Sequence, residues 1–265
     1  MRYVRMLLLH FDLALVSRSR SFIWFLITLI NPLIYLTFWR GALTAGSASP
    51  IGWSLSSVAS YYLLLVIAGA FLSVHIEEVV AYYDIQQGWL SNYLTRPFSY
   101  FWFKFFHEIP YRVIQGSFGL VVFVLFRLVY GNFVQITSVP EIIIMSIVIT
   151  VMAYFISFIF KMIVGLSALW TTDFSGLSQL VGVVLLLFGG FIIPLDFFPD
   201  SLKAILYLLP FPYMFYFPIM AFQGLLAPGE LYRVMVSQGI WLVILWVLYT
   251  RAWRSGVRLF TGVGR

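Results

Sequence analysis

The chain contains no cysteine, so disulfides, thiolate metal sites and cysteine nucleophiles are excluded. Charge is scarce too: Asp, Glu, Lys and Arg make up 10% of 265 residues, against about 25% in a globular domain. No GxxxxGK(S/T) loop is present, so this polypeptide cannot cradle ATP phosphates in the P-loop manner. No GxGxxG follows a strand, and no HExxH occurs, because His107-Glu108 runs into Ile109-Pro110. The three histidines, His10, His75 and His107, lie far apart without metal-ligand spacing.

What is there is apolar. Hydrophobic residues make up 62%, and the mean hydropathy is +0.97. Long charge-free runs approach the roughly 20 residues needed to cross ~30 Å of hydrocarbon, which points to one all-α membrane domain. The net charge of +6 comes from basic residues bordering these runs, so anionic lipid, not nucleic acid, is the expected partner of that charge.

Six spans are expected, at about 21–39, 58–76, 109–130, 141–161, 177–195 and 231–250. Residues 1–20 place Val4, Leu7, Leu8, Phe11 and Leu15 at helical spacing, with arginines towards both ends, which predicts an amphipathic interfacial helix. Asp12 interrupts the apolar stretch, so it reads as retained and not as a cleaved signal peptide. Asn31-Pro32 should kink the first span. Residues 41–57 read as an outer loop, and Gly131-Asn132 should close the third span. With the N-terminus inside, basic residues divide 12 inside to 4 outside, the outer four being Arg40, Arg127, Lys203 and Arg233. Both termini are therefore expected on the cytoplasmic side of the plasma (inner) membrane.

Two connections depart from simple hairpins. Residues 194–228, which hold the expected outer hairpin 196–228, are apolar, yet prolines at 194, 199, 210, 212, 218 and 228 forbid a single helix. Two short helices, at about 200–209 and 213–223, are predicted to dip into the outer leaflet as a broken re-entrant hairpin covered by protein or a watery cavity. Residues 77–108 form a long cytoplasmic connection holding Glu77, Glu78, Asp84, Arg96, Lys104 and Glu108, which suits a soluble partner. Adjacent Glu77 and Glu78 point about 100° apart on a helix, so they read as a charged helix end and not as a catalytic pair. Only Arg112 and Arg127 are candidates for charges within a span, and both sit near enough to an interface to snorkel.

The stretch from Tyr83 through Gln87-Gly88-Trp89-Leu90-Ser91-Asn92-Tyr93-Leu94-Thr95-Arg96-Pro97 resembles the loop after the second span of ABC-2 family permeases, where a helix of the form xxGxLxxxLxRP docks on the ATPase. The resemblance assigns Gly88 the turn, Trp89, Leu90, Tyr93 and Leu94 a buried face, and Arg96-Pro97 the helix exit, with Gln87 opening the segment. Gly189-Gly190-Phe191-Ile192-Ile193-Pro194-Leu195-Asp196-Phe197-Phe198-Pro199, followed by Leu209-Pro210-Phe211-Pro212-Tyr213, is similar to the end of the fifth span and outer re-entrant helices of that family. Gln238, Trp241, Trp253-Arg254 and Gly256 fit the tail of its roughly 260-residue subgroup.

The resemblance implies a non-catalytic permease, usually an exporter, built from two membrane subunits, identical or homologous, and two cytosolic P-loop ATPases that carry ATP and Mg. This chain would then bind no cofactor and no metal itself. An ion-coupled secondary transporter would need inverted repeats and buried acidic residues, and none is evident. An intramembrane lipid-modifying enzyme would need convergent polar residues within the spans, which are lacking.

Overall fold

The computed structural model describes residues 2–16, 18–44, 53–130, 134–171 and 173–261. Among these it is helical throughout, with no strand. The elements are α1 (Arg2–Val16), α2 (Arg18–Thr44), α3 (Leu55–Leu72), α4 (Ile76–Glu78) continuing as a π-helix over Val79–Gln86, and α5 (Leu90–Leu94). There follow α6 (Tyr100–Tyr130), α7 (Pro140–Leu166), α8 (Phe174–Phe188), α9 (Asp200–Leu206), α10 (Phe211–Met214), α11 (Tyr216–Gln223) and α12 (Pro228–Leu259).

Within the described residues, four helical runs are long and apolar enough to cross a membrane: Leu55–Gln86, Tyr100–Val129, Pro140–Leu169 and Pro228–Leu259. The expected first span lies in α2, which is 27 residues long but is not among these four. The expected fifth span, 177–195, is α8, which is apolar but only 15 residues long. It stops early because Gly189 closes the last turn and Gly190 adopts φ +86°, a left-handed conformation that ends a helix. At its start Asp173 caps α8, accepting from the Gly176 N–H at 3.1 Å and the Ser175 hydroxyl at 2.9 Å. These donors hold the Asp173 carboxyl below the usual carboxylate range, so the cap persists at neutral pH and is lost as pH falls through that lowered value.

Other boundaries differ from the sequence reading. Residues 41–44 belong to α2, and α3 already begins at Leu55 behind its Ser54 cap, so the loop expected at 41–57 is shorter; residues 45–52 lie outside the described set, as do Gly131 and Asn132. The expected connection 77–108 is mostly helix, because α6 starts at Tyr100 and the π-helix occupies 79–86. Leu, Val, Tyr and Phe continue through this stretch, so both flanking helices find apolar neighbours beyond the predicted span ends.

The core centres on α3, which is apolar all round and buried nearly all round, as expected for an interior helix. Around it stand α2, α6, α7 and α11, while α12 packs along α7. The proline-rich stretch breaks, as its prolines require, but into the three helices α9, α10 and α11 where two were expected, and α11 is buried from Tyr216 to Ala221. Side-chain hydrogen bonds tie this layer and the turn before it to α3, α7 and α12. Tyr61 donates to the Gly190 carbonyl (2.7 Å) and Tyr62 to that of Ile192 (2.6 Å). Gln238 donates to the carbonyls of Ile149 and Tyr213, both at 3.0 Å, and Gln223 to that of Ser57 (2.9 Å). Pro194, Pro210 and Pro212 are buried in this layer, and Pro199 is exposed.

A Cβ at Gly190 would lie 2.5 Å from the Tyr61 hydroxyl, besides forcing a left-handed alanine. Gly190→Ala is therefore expected to cost about 2 kcal/mol or more, read as a lower melting temperature in detergent, whereas Gly182→Ala, inside α8 with open space at its Cβ, should not lower it.

Candidate functional site

One end of the bundle gathers the junction between the π-helix and α6, the C-terminal turns of α7 and the C-terminal half of α12. The π-helix ends with the Gln87 N–H donating five residues back to the Tyr82 carbonyl (3.0 Å), and Gly88 turns the chain at φ +80°. The helix expected over 87–97 forms only as α5, five residues long. The left-handed Gly88 bars it from starting earlier, and Pro97 disfavours helix at Arg96.

The apolar face assigned to this segment is divided between two environments. Leu90 is 0% exposed and belongs to the main core, and Tyr93 is half-buried against Tyr100 and Phe103. Trp89 and Leu94 are 57% and 43% exposed, and Gln87, Arg96 and Pro97 are exposed beside them. The elbow thus has an inner face, Leu90 and Tyr93, that anchors it, and an outer face, Trp89, Leu94 and Arg96, that is available. Partial burial, with the charge of Asp84 second, holds the Tyr93 phenol above its usual range.

Beneath the elbow lie ion pairs that the sequence did not predict. Lys104 Nζ sits 2.6 Å from Asp84 Oδ2, and Tyr100 donates to the same oxygen at 2.5 Å. The Lys104 ammonium also lies over the Tyr93 ring, 4.6 Å from its centroid, so one cation joins the π-helix, α6 and the elbow. Lys161 of α7 pairs with Glu77 of α4. Arg112 pairs with Glu108 at 2.9 Å and donates to the Ser73 carbonyl at 2.5 Å, across the break between α3 and α4.

This corrects the reading of 77–108 as an ionisable, partner-facing loop. Glu77, Asp84, Lys104 and Glu108 are all buried and paired inside the chain, and only Glu78 and Arg96 of that set face outward. It also corrects the reading of Glu77-Glu78 as a helix end, since the helix runs on and the roughly 100° between neighbours turns Glu77 in and Glu78 out. Only i,i+4 spacing could have flagged a pair, and it marks Lys104–Glu108 as readily as Glu108–Arg112, of which only the second forms.

The tail of α12 completes the site. Trp253 stacks on Tyr100 with ring centroids 4.7 Å apart, and a cavity of about 360 Å³ opens between the elbow and α12, lined by Arg96 and Arg254 among aromatics. On the flank, His10 of α1 packs edge-on to His107 and Phe103 of α6, while Leu8, Leu9, Leu15 and Val16 stay exposed. Among the described residues, no group of three or more His, Cys, Asp or Glu could hold a metal. The charged side chains beneath the elbow are packed and paired within the chain. What the arrangement offers is a small exposed surface held by buried charge to three helices.

A family model described as ABC-2 family transporter protein matches residues 23–264. No curated protein and no solved structure gives a match.

Proposed function

The chain belongs to the ABC-2 transporter family, a family of multi-pass membrane transport components, and on that premise we propose that it is the permease of an ATP-driven exporter whose ATPase is a separate polypeptide. The elbow from Gln87 to Pro97 is the docking surface for that ATPase, which carries the ATP and Mg. Two permeases, identical or homologous, work with two ATPases. The observation that carries this reading is the division of the elbow: Trp89, Leu94 and Arg96 face outward, while Leu90 and Tyr93 join the core and the Asp84–Lys104 pair.

A segment built in this way transmits force. A load on its outer face passes through Tyr93 and Lys104 into α6, and through the π-helix to Glu77 and Lys161 on α7. In helix-in-groove contacts a few exposed aromatic and aliphatic anchors supply most of the affinity, roughly 2 kcal/mol or more for each hot spot. Trp89 and Leu94 suit that role, with Arg96 giving charge selectivity at the rim.

The full membrane arrangement proposed is six crossings, with α2 and α8 joining the four long apolar runs, both termini cytoplasmic, α1 lying in the interface, and the α9–α11 layer at the outer side of the inner membrane. Because the chain has no cysteine, single-cysteine variants report topology directly. Ser91→Cys should react with a membrane-impermeant maleimide only after permeabilisation, and Ser201→Cys in intact cells. Reaction of Ser91→Cys in intact cells would overturn the orientation. The ATPase assignment is tested by Trp89→Ala, which should lower co-purification of a co-expressed ATPase partner at least tenfold while membrane insertion is unchanged.

A further inference from the structure

We propose that the cavity between the elbow and α12 binds the headgroup phosphate of an anionic phospholipid between Arg96 and Arg254, with an acyl chain lying along α12. This rests on the multi-pass membrane assignment and is independent of the ATPase docking surface. The cavity measures about 360 Å³, within the roughly 300–1,000 Å³ range of small-molecule sites, and polar atoms face it as well as rings. Arg96 reaches it from the end of the elbow and Arg254 from the last turns of α12. Tyr93, Tyr100, Trp246 and Trp253 line it beside them.

Charge selects the headgroup. Arg96 and Arg254 are both exposed, and among the described residues neither guanidinium makes an ion pair or a hydrogen bond. Arg96 lies over the Tyr93 ring, 5.9 Å from its centroid, a contact that leaves its N–H donors unspent. No Asp or Glu among the described residues lines the cavity, so two guanidiniums share one space without a counter-charge. A phosphodiester carries acceptor oxygens for both forks, which is the pairing guanidinium favours. An Asp or Glu side chain from a protein partner would leave most of this volume empty.

The surface of α12 leading to the cavity supplies the tail. Ile240, Val243 and Val247 are exposed, and helical spacing puts them on the same face as Thr250 and Arg254, which line the cavity. From Ile240 to Thr250 the helix rises about 15 Å, half of the ~30 Å hydrocarbon thickness. An apolar stripe one leaflet deep thus ends in a recess of tryptophans and arginines, the residue types of a membrane–water interface. That is the order of groups in an anionic phospholipid. Among the described residues, no hydrogen bond or ion pair joins 87–97 to α12, so the shared phosphate would be the polar link between the elbow and that helix.

The test uses the full chain, delipidated in detergent and titrated with phosphatidylglycerol or phosphatidylethanolamine, with bound lipid counted by native mass spectrometry. One phosphatidylglycerol should bind at least tenfold more tightly than phosphatidylethanolamine. Arg254→Gln should weaken that binding at least fivefold. Arg258→Gln, which removes the same charge one turn further on from a residue outside the cavity, should not. Both positions are exposed, so both variants should keep the wild-type melting temperature. Equal binding of the two lipids, or an equal loss in the two variants, would mark diffuse charge attraction and overturn the proposal. Displacement of the lipid by an equal concentration of glycerol 3-phosphate would show a site for soluble phosphate and overturn the lipid assignment. Unchanged lipid binding by Arg254→Gln, together with loss of a co-expressed ATPase, would give the cavity to the protein partner and also overturn it. Arg96 stays intact in every variant and no ATPase is present in the titration, so failure here leaves the docking assignment standing.

Discussion

Asp84→Ala should destabilise the solubilised protein by about 3–5 kcal/mol, because it leaves the Lys104 ammonium buried without its counter-charge. Both side chains of the pair are 3% exposed, so neither can reach water by a rotamer change. The same carboxylate accepts from Tyr100, and the same ammonium covers the Tyr93 ring, so the loss spreads from the π-helix to the elbow. Lys104→Met should cost a similar amount for the converse reason. The double variant Asp84→Leu/Lys104→Met removes both charges and should recover most of the stability, since apolar replacement of a whole buried pair is commonly neutral. Transport-coupled ATP hydrolysis should stay low in that double variant even when it is stable, because the electrostatic link between the π-helix and α6 is gone. A thermal-unfolding cycle over the four proteins measures the coupling, and an additive cycle would show that the pair does not act as a unit.

Leu94→Glu and Leu90→Glu should differ sharply although the two residues lie one helical turn apart. Leu94 is 43% exposed, so a carboxylate there meets water and should change stability by no more than about 0.5 kcal/mol. It would nevertheless place a charge in the centre of the docking face, and loss of the ATPase from the purified complex is expected, at least a hundredfold in affinity. Leu90 is 0% exposed, so the same substitution buries an unpaired charge and should abolish the folded protein. If the Leu94→Glu protein keeps its ATPase and hydrolyses ATP at the normal rate, the docking assignment fails. If Leu90→Glu folds normally, the inner anchoring of the elbow fails instead.

The parts of the architecture legible in the sequence were those with local causes. Low charge and long apolar runs implied a helical membrane protein, the proline spacing in 194–228 implied broken helices, and α9 and α11 fall within those limits. The position of the elbow was legible through the resemblance to ABC-2 permeases, which assigned Gly88 the turn and Arg96-Pro97 the helix exit. What escaped depended on distant partners. Nothing near Glu77 announces Lys161, 84 residues on, and nothing near Asp84 announces Lys104 beyond a turn whose geometry had to be known first. The charges therefore looked like a hydrophilic loop when they are the buried fastening of that end of the bundle. For the same reason Leu90 looked equivalent to Leu94: helical spacing places both on one face, but only the packing decides how much of that face the chain keeps for itself.

The π-helix over Val79–Gln86 has a kinematic consequence. A helix closed by bonds to the fifth preceding residue carries more residues per turn than one closed to the fourth, so it stores surplus chain as width. Re-registering even one such bond to the α pattern would pivot everything downstream about the helix axis and lengthen the run. The Gly88 bend would convert that small twist into a lateral sweep of Trp89 and Leu94. The eight residues from Val79 to Gln86 are in this sense a screw thread between the elbow and the buried helices, with the Asp84–Lys104 contact as the stop that fixes its resting angle.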